Sequence, residues 1–116
     1  MKIRDVDKIC IVDIAGTKIS ESNLKKLKKI LSQRVSLMRI GINLKGVISV
    51  NHDFLDFLRE SSFKQRLSLF NACNDVYLLL FVSQTDKYVD IYLDENDFIN
   101  NKRLIIYRRL KLLKSA

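Results

Sequence analysis

The chain has 116 residues, of which 47% are hydrophobic and 29% charged, a composition that excludes a fibrous or disordered protein and fits one globular domain. The longest apolar run, residues 76–82, is too short to cross a membrane, and acids near the N-terminus exclude a signal peptide, so we expect a cytoplasmic protein. The formal net charge of +8 would indicate a nucleic-acid partner if the bases were spread over the domain, but many of them lie in one terminal segment.

The first half of the chain alternates between two hydrophobic periods. Ser20 is a good helix N-cap, and the apolar residues after it recur at helical spacing, whereas the runs on either side alternate as strands do. At residues 51–53 a period of two changes to a helical period, which predicts a corner between a strand and a helix. The predicted elements are strands at residues 3–6 and 9–14, a helix from Ser20 to about Gln33, a strand at residues 37–44 and a helix at residues 51–60.

The second half contains one ambiguous segment. Residues 74–84 begin with cap residues and continue as an apolar run, which periodicity alone cannot assign to a helix or a strand. Strands are predicted at residues 64–72 and 88–93, and a long final helix runs from about Glu95 into the basic tail. The order of elements predicts one α/β domain, with a mixed sheet of four or five strands and about four helices packed against it.

The C-terminal segment carries a disproportionate share of the charge. Six bases and no acid fall in the last 15 residues, while the rest of the chain has 15 bases and 13 acids. We therefore divide the chain into a domain at residues 1–100 and a basic extension of the last helix at residues 101–116. In a continuous helix, Ile99, Ile106, Leu110 and Leu113 would form one stripe, which favours docking or homodimerisation, then a membrane surface, and last nucleic acid. The candidate secondary contact residues in this segment are Arg103, Arg108, Arg109 and Lys111.

Three stretches of the sequence, in order, resemble one known family. KICIVDIAGTKISESNLKKLKKIL resembles the opening strand, glycine turn and polar-capped first helix of the STAS family, the fold of bacterial anti-sigma-factor antagonists. INLKGVISVNHDFLDFL resembles the strand and second helix beside the family's regulatory site. RLSLFNACNDVYLLLFVSQTDKYVDIYLDENDFI resembles the closing strand, helix, strand and acidic-capped helix, which favours a helix at residues 74–84. The likeness covers roughly residues 7–100 and implies a STAS-like α/β domain.

The sequence departs from the family at the start of the second helix. Typical members have Asp-Ser-Ser/Thr-Gly there, and a partner kinase phosphorylates a hydroxyl of that motif. This chain has Asn51, His52, Asp53 and Phe54, with Asp53 at the position of the hydroxyl. The resemblance thus implies a protein-binding surface centred on Asn51, His52, Asp53 and Asp56 that lacks the usual switch. Asp53 is either a partial, permanent mimic of a phosphate or an ordinary first-turn acid that the helix dipole favours.

Other chemistry has weak support in the sequence. His52 has no nucleophile beside it in sequence, and Asp53 and Asp56 lack further acidic ligands nearby, so an exposed cap residue and a solvated helix face are expected. Cys10 and Cys73 lie far apart in apolar stretches, so both are expected to be reduced and buried. Their spacing does not match a zinc site. We therefore expect no metal, no cofactor and no enzymatic activity.

Two alternative functions remain open from the sequence. STAS domains also serve as subunits that dock on a membrane transporter ATPase, and the basic tail could lie against such a complex or the membrane surface. A basic nucleic-acid-binding protein is the second alternative, although aromatic residues are not interleaved with the bases as a stacking platform requires. The partner expected first is an anti-sigma factor of the serine-kinase-like type, or a related regulator.

Overall fold

The structure, a computed structural model, describes residues 1–34 and 38–104. A short 3₁₀ helix, Thr85–Lys87, connects the third α-helix to the last strand. The ambiguous segment is a helix, as the resemblance indicates, and the order of elements agrees with the predicted order. These elements are β1 (Lys2–Val6), β2 (Ile9–Asp13), α1 (Glu21–Gln33), β3 (Arg39–Asn43), α2 (His52–Ser61), β4 (Ser68–Phe70), α3 (Asn74–Val82), β5 (Asp90–Ile91) and α4 (Glu95–Ile99).

The five strands form one mixed sheet in the order β1-β2-β3-β4-β5. β1 pairs antiparallel with β2, whereas each later neighbouring pair is parallel. Parallel neighbours cannot be joined by a tight turn, so α1, α2 and α3 form the three connections between them. The predicted α/β class, with a mixed sheet and helices packed against it, is confirmed.

The main core lies between one face of the sheet and α1, α2 and α3. Alternate residues of β2, β3, β4 and β5 point into it, as the strand period of two requires, whereas β1 buries none of its side chains there. Because each of these helices returns to the start of the next parallel strand on the same face, α1 and α2 run side by side in the same direction. The side chains that this core buries from α1, α2 and the central strands include Cys10, Val12, Leu24, Leu27, Ile30, Ile40, Ile42, Phe54, Leu55, Phe57 and Leu58.

The opposite face of the sheet is covered by α4 and an aromatic cluster. Phe98 of α4 stacks on Phe70 with ring centroids 5.2 Å apart and meets Tyr92 edge-on at 5.5 Å. Gly41 of β3 lies directly beneath these rings, because a Cβ atom at this position would be 2.6 Å from Cζ of Phe98. The close approach of α4 to the sheet therefore depends on a residue without a side chain in β3.

The last helix is shorter than the sequence pattern predicts. It begins at Glu95 as expected but ends at Ile99, and Asn101 takes the left-handed conformation with φ of 57°. The amide of Leu104 then donates to the carbonyl of Ile91 over 2.7 Å, so the chain follows β5 instead of continuing as a helix. The prediction of a helix that continues from Glu95 into the basic tail is therefore wrong for residues 100–104.

Most of the basic extension lies outside the described residues. This applies to Arg108, Arg109 and Lys111, and to the apolar stripe that would follow Ile99. The division of the chain at residue 100 stays a prediction. Among the described residues, every helix is too short or too polar to cross a bilayer.

The two cysteines differ in their environments. Cys10 is completely buried in β2, as predicted, and burial raises the pKa of its thiol. Cys73 is exposed at the N-cap position of α3, so the prediction that it is buried is wrong. The apolar run that follows Cys73 belongs to the helix, whereas the cysteine itself lies where the chain leaves the sheet.

Candidate functional site

The corner between β3 and α2 is built by a tight turn. Val47 donates its amide to the carbonyl of Leu44 over 3.0 Å, and Gly46 supplies the positive φ of 88° that the turn requires. The Oδ1 atom of Asn43 accepts from the amide of Lys45 at 3.0 Å. Val47 is buried beneath this turn. The chain therefore enters α2 along a path that is fixed from the last residue of β3 onwards.

A second loop supports the corner from the side. The amide of Ile48 donates to the carbonyl of Thr17, in the loop between β2 and α1, over 2.9 Å. That loop ends at Ser20, whose Oγ caps α1 by accepting from the amide of Asn23 at 3.1 Å. With its backbone held in this way, Ile48 leaves 61% of its surface exposed. Ile48 therefore presents an apolar side chain to solvent from a backbone that is held in place.

The first turn of α2 is polar and faces outward. Asn51 is the N-cap residue, and its Oδ1 accepts from the amide of Phe54 at 3.0 Å. Asn51, His52 and Asp53 are all exposed, and Asp56 is exposed one turn further on. The four predicted site residues therefore lie on one surface, and the negative charge of Asp53 lies at the positive end of the helix dipole.

A groove separates α1 from α2 beside this surface. Its first part has a volume of about 330 Å³ and includes Asp53 and Asp56 in its wall. The apolar side chains of Leu24 and Phe57 form its floor, and the wall residues contributed by α1 face those of α2. Six charged side chains line it, namely Glu21, Lys25, Lys28, Asp53, Asp56 and Glu60. Among the described residues, no ion pair within 4.0 Å joins the lysines of α1 to the acids of α2.

A polar row ties together the strand ends on the other face of the sheet. Arg4 donates to both carboxylate oxygens of Asp13, at 2.7 and 2.8 Å, and also reaches Glu95 at 2.5 Å. Asp13 accepts from Asn43 at 2.7 Å, and Asn71 donates to Asn43 at 3.1 Å. The hydrogen bonds from Arg4, with a further contribution from Asn43, lower the pKa of the Asp13 carboxyl although partial burial opposes them. The row crosses four neighbouring strand segments and α4, and it includes Asn43, the residue that begins the corner.

The structure separates the other predicted contact residue from this surface. Arg103 is exposed and lies 3.4 Å from the carboxylate of Asp90 on β5, which also receives Arg66 at 2.8 Å. Arg103 does not line the groove beside Asp53. Within residues 1–34 and 38–104, no three His, Cys, Asp or Glu side chains come together as they would around a metal ion.

Reasoning from the sequence missed two parts of the site. The sequence does not single out Ile48, because no local pattern shows that the neighbouring loop holds its backbone and leaves its side chain exposed. Lys25 and Lys28 lie away from the apolar stripe of α1, and the sequence does not show that they face the acids of α2. The parallel arrangement of β2, β3 and β4 places α1 beside α2, and the predicted order of elements does not by itself specify that arrangement.

The comparisons with known proteins identify a fold and no close relative. No protein-family profile matches the chain, and no curated protein matches it. Two solved structures of the Thermotoga maritima protein TM1081 are similar to it. The solution structure superposes with a TM-score of 0.67 at 19% sequence identity, covering 84% of each chain. The crystal structure, described as that of a candidate anti-sigma factor antagonist, has a TM-score of 0.64 at 20% identity and covers 86% of this chain and 92% of the other. The STAS-like fold predicted from the sequence is confirmed.

Proposed function

We propose that this protein is a non-enzymatic interaction module that binds a regulatory protein partner through the corner between β3 and α2. The corner surface consists of Ile48, Asn51, His52, Asp53 and Asp56. The observation that carries the proposal is the combination of an exposed Ile48 and an exposed, charged first helical turn on a backbone that two loops hold in place. The partner would be an anti-sigma factor or a related regulator, by analogy with the description of the similar Thermotoga protein.

The chemistry of the corner supports binding without covalent regulation at its centre. Asp53 offers a carboxylate where typical members of the family offer a hydroxyl, so a serine kinase has no acceptor at this position. Its charge is stabilised by the dipole of α2, by about 0.3–1 kcal/mol for an exposed first-turn acid. The negative charge of Asp53 would thus be present without phosphorylation, and occupancy of the surface would depend on the concentration of the partner.

The experiment is capture of partners from the native cell by the full chain, with identification by mass spectrometry. Ile48→Glu places a charge at the centre of the proposed contact without touching the core, and Asp53→Lys reverses the charge of the first turn. Ile48→Glu should unfold within about 0.5 kcal/mol of the wild type, as surface changes usually do, whereas Asp53→Lys should cost about 0.5–2 kcal/mol because it places a cation at the positive end of the dipole of α2. Both variants should stay folded and should lose the partner.

The matched control is Lys8→Glu. Lys8 is exposed between β1 and β2, beside the start of β2, whereas the corner lies beyond the end of β3. Capture of a serine-kinase-like anti-sigma factor by wild type and Lys8→Glu, but not by Ile48→Glu, supports the proposal. A transporter ATPase in its place would favour the membrane-complex alternative. Equal capture by Ile48→Glu and wild type would refute the corner, and a gel shift that persists at near-physiological salt would favour nucleic acid.

A further inference from the structure

The groove between α1 and α2 continues past the corner surface to the other end of both helices. Its second part, about 470 Å³, shares Lys28, Phe57 and Glu60 with the first part. Beyond them it is lined by Leu31 and Lys64 among others. The two parts therefore form one channel about as long as α1, which spans roughly 20 Å at 1.5 Å per residue. Phe57 lies under its whole middle section.

The charges along this channel are sorted by position. Glu21, Asp53 and Asp56 lie at the end formed by the N-termini of the two helices. Lys25 lies in the same half of the channel, and Asp56 there pairs with Arg59 of its own helix at 3.4 Å. The other half is lined by Lys28, Arg34, Lys64 and one acid, Glu60 in the last turn of α2, and Arg34 pairs with Asp5 of β1 at 3.1 Å. Three acids and one base thus line the first half, and three bases and one acid line the second.

We propose that the channel binds an amphipathic helix of a partner protein, about 14 residues long, that carries acids in its first turn and bases in its last turn. This inference rests on the proposed function, since it names the element of the partner that the protein would recognise. The bases of the partner helix face Glu21, Asp53 and Asp56, and its acids face Lys28 and Lys64, since Arg34 is already paired with Asp5. Its apolar stripe lies over the half-buried Leu31 and the small exposed parts of Leu24 and Phe57.

The direction of the partner helix follows from the same charges. A helix that places its basic last turn at the acidic end runs antiparallel to α1 and α2. This orientation also sets its own dipole opposite to those of its two neighbours, which is the favourable arrangement. Electrostatic complementarity of this kind selects orientation and partner more than it adds affinity, so the charge pattern is the property to test.

The test uses a displayed library of 14-residue amphipathic helices with a fixed leucine stripe. All positions outside the leucine stripe are drawn from Asp, Glu, Lys and Arg. The library is selected for binding to the full chain. We expect enrichment of acids in the first turn and of bases in the last turn. Selected peptides should shift backbone amide signals of α1 and α2 in nuclear magnetic resonance spectra of the full chain.

Matched charge reversals locate the binding. In the double variant Lys28→Glu with Lys64→Glu, affinity for selected peptides should fall by about tenfold or more, because two attractions become repulsions. The control is Lys26→Glu with Lys29→Glu, which changes the same charge on exposed residues of α1 that do not line the channel, and it should leave affinity within about twofold. No enrichment, enrichment without charge polarity, or equal loss in both double variants would overturn the inference.

The outcome also separates this inference from the proposed function. Binding of peptides or of a captured partner that is lost in Ile48→Glu but kept in the Lys28→Glu with Lys64→Glu variant would support the corner and refute the channel. Dependence on Lys28 and Lys64 in the absence of any Ile48-dependent partner would support the channel and refute the corner.

Discussion

Gly41→Ala tests how closely α4 is packed against the sheet. The added methyl group would lie 2.6 and 2.7 Å from two ring carbons of Phe98 and 2.9 Å from a ring carbon of Phe70. Ordinary contacts between carbon atoms are about 3.5–4.0 Å, so the ring of Phe98 must move by about 1 Å. That movement is resisted from two more sides, because Tyr92 meets the ring edge-on and the guanidinium of Arg39 lies 4.4 Å from its centroid.

The expected loss of unfolding free energy in Gly41→Ala is the difference between a packing cost and an entropy gain. Overpacking a filled core costs about 1–3 kcal/mol, and replacing glycine by alanine within a strand returns about 0.5–1 kcal/mol of chain entropy. Because the ring of Phe98 is completely buried and cannot swing into solvent, the upper part of the packing range applies. We predict that Gly41→Ala lowers the free energy of unfolding by about 1–2 kcal/mol, which lowers Tm by roughly 4–8 °C in a domain of this size.

The assay is urea unfolding followed by circular dichroism, applied as a double-mutant cycle. Phe98→Leu removes the ring that the new methyl group would touch and costs about 1–2 kcal/mol alone. In the double variant the two shortest contacts are absent and only the one with Phe70 remains, so the two costs should combine to about 1 kcal/mol less than their sum. An unchanged dependence on urea concentration shows that the comparison concerns stability and not a different unfolded state.

Gly16→Ala is the control for effects of the backbone alone. Gly16 has φ of 97°, but a Cβ atom there would meet nothing within 4 Å. Its cost arises from strain and should add to that of Phe98→Leu. The reasoning is refuted if Gly41→Ala unfolds within about 0.5 kcal/mol of the wild type. Additive costs for Gly41→Ala and Phe98→Leu would refute it as well.

Three further outcomes are expected. Asp13→Asn should lower the unfolding free energy by about 2 kcal/mol at neutral pH, since it weakens the charged hydrogen bonds to Arg4. The pKa of the Asp13 carboxyl is lower in the folded than in the unfolded state, where it is near 3.9. The stability that the carboxylate contributes is therefore complete above the unfolded pKa and is lost as pH falls through the folded pKa. The unfolding free energies of wild type and Asp13→Asn should accordingly converge at acidic pH. A thiol reagent should modify Cys73 at once and Cys10 only after unfolding, and rapid loss of both thiols in the native protein would contradict the burial of β2. Asn51→Ala should cost about 1 kcal/mol by removing the cap of α2, with Asn51→Ser as the variant that restores it.

The sequence predicts the helices of this fold well where local chemistry decides the outcome. The sequence identifies Ser20 as the cap of α1, and in the structure its hydroxyl accepts from the amide of Asn23 while Oδ1 of Asn23 accepts from the amide of Ser20. The period change at residues 51–53 identified the start of α2 within one residue. In both cases the signal is contained in a few neighbouring residues, and the packing agrees with it.

Elements whose limits depend on distant partners were predicted less well. The strand predicted at residues 64–72 is reduced to Ser68–Phe70, and Arg66 instead donates to the carbonyls of Lys87 and Val89 on the adjoining segment. α4 stops at Ile99 because the following chain pairs with β5. The exposure of Ile48 likewise depends on Thr17, 31 positions earlier in the chain. No local pattern contains that information.

The side chain of Asn43 has a consequence for the speed of recognition. It joins Asp13, Asn71 and the amide of Lys45, so the segment leading into α2 is braced by neighbouring strands before any partner arrives. An incoming molecule would therefore meet a finished shape and would not have to wait for a loop to order. Its encounter rate should follow diffusion and salt concentration, as for rigid bodies, and loosening Asn43 should slow capture before it weakens the final complex.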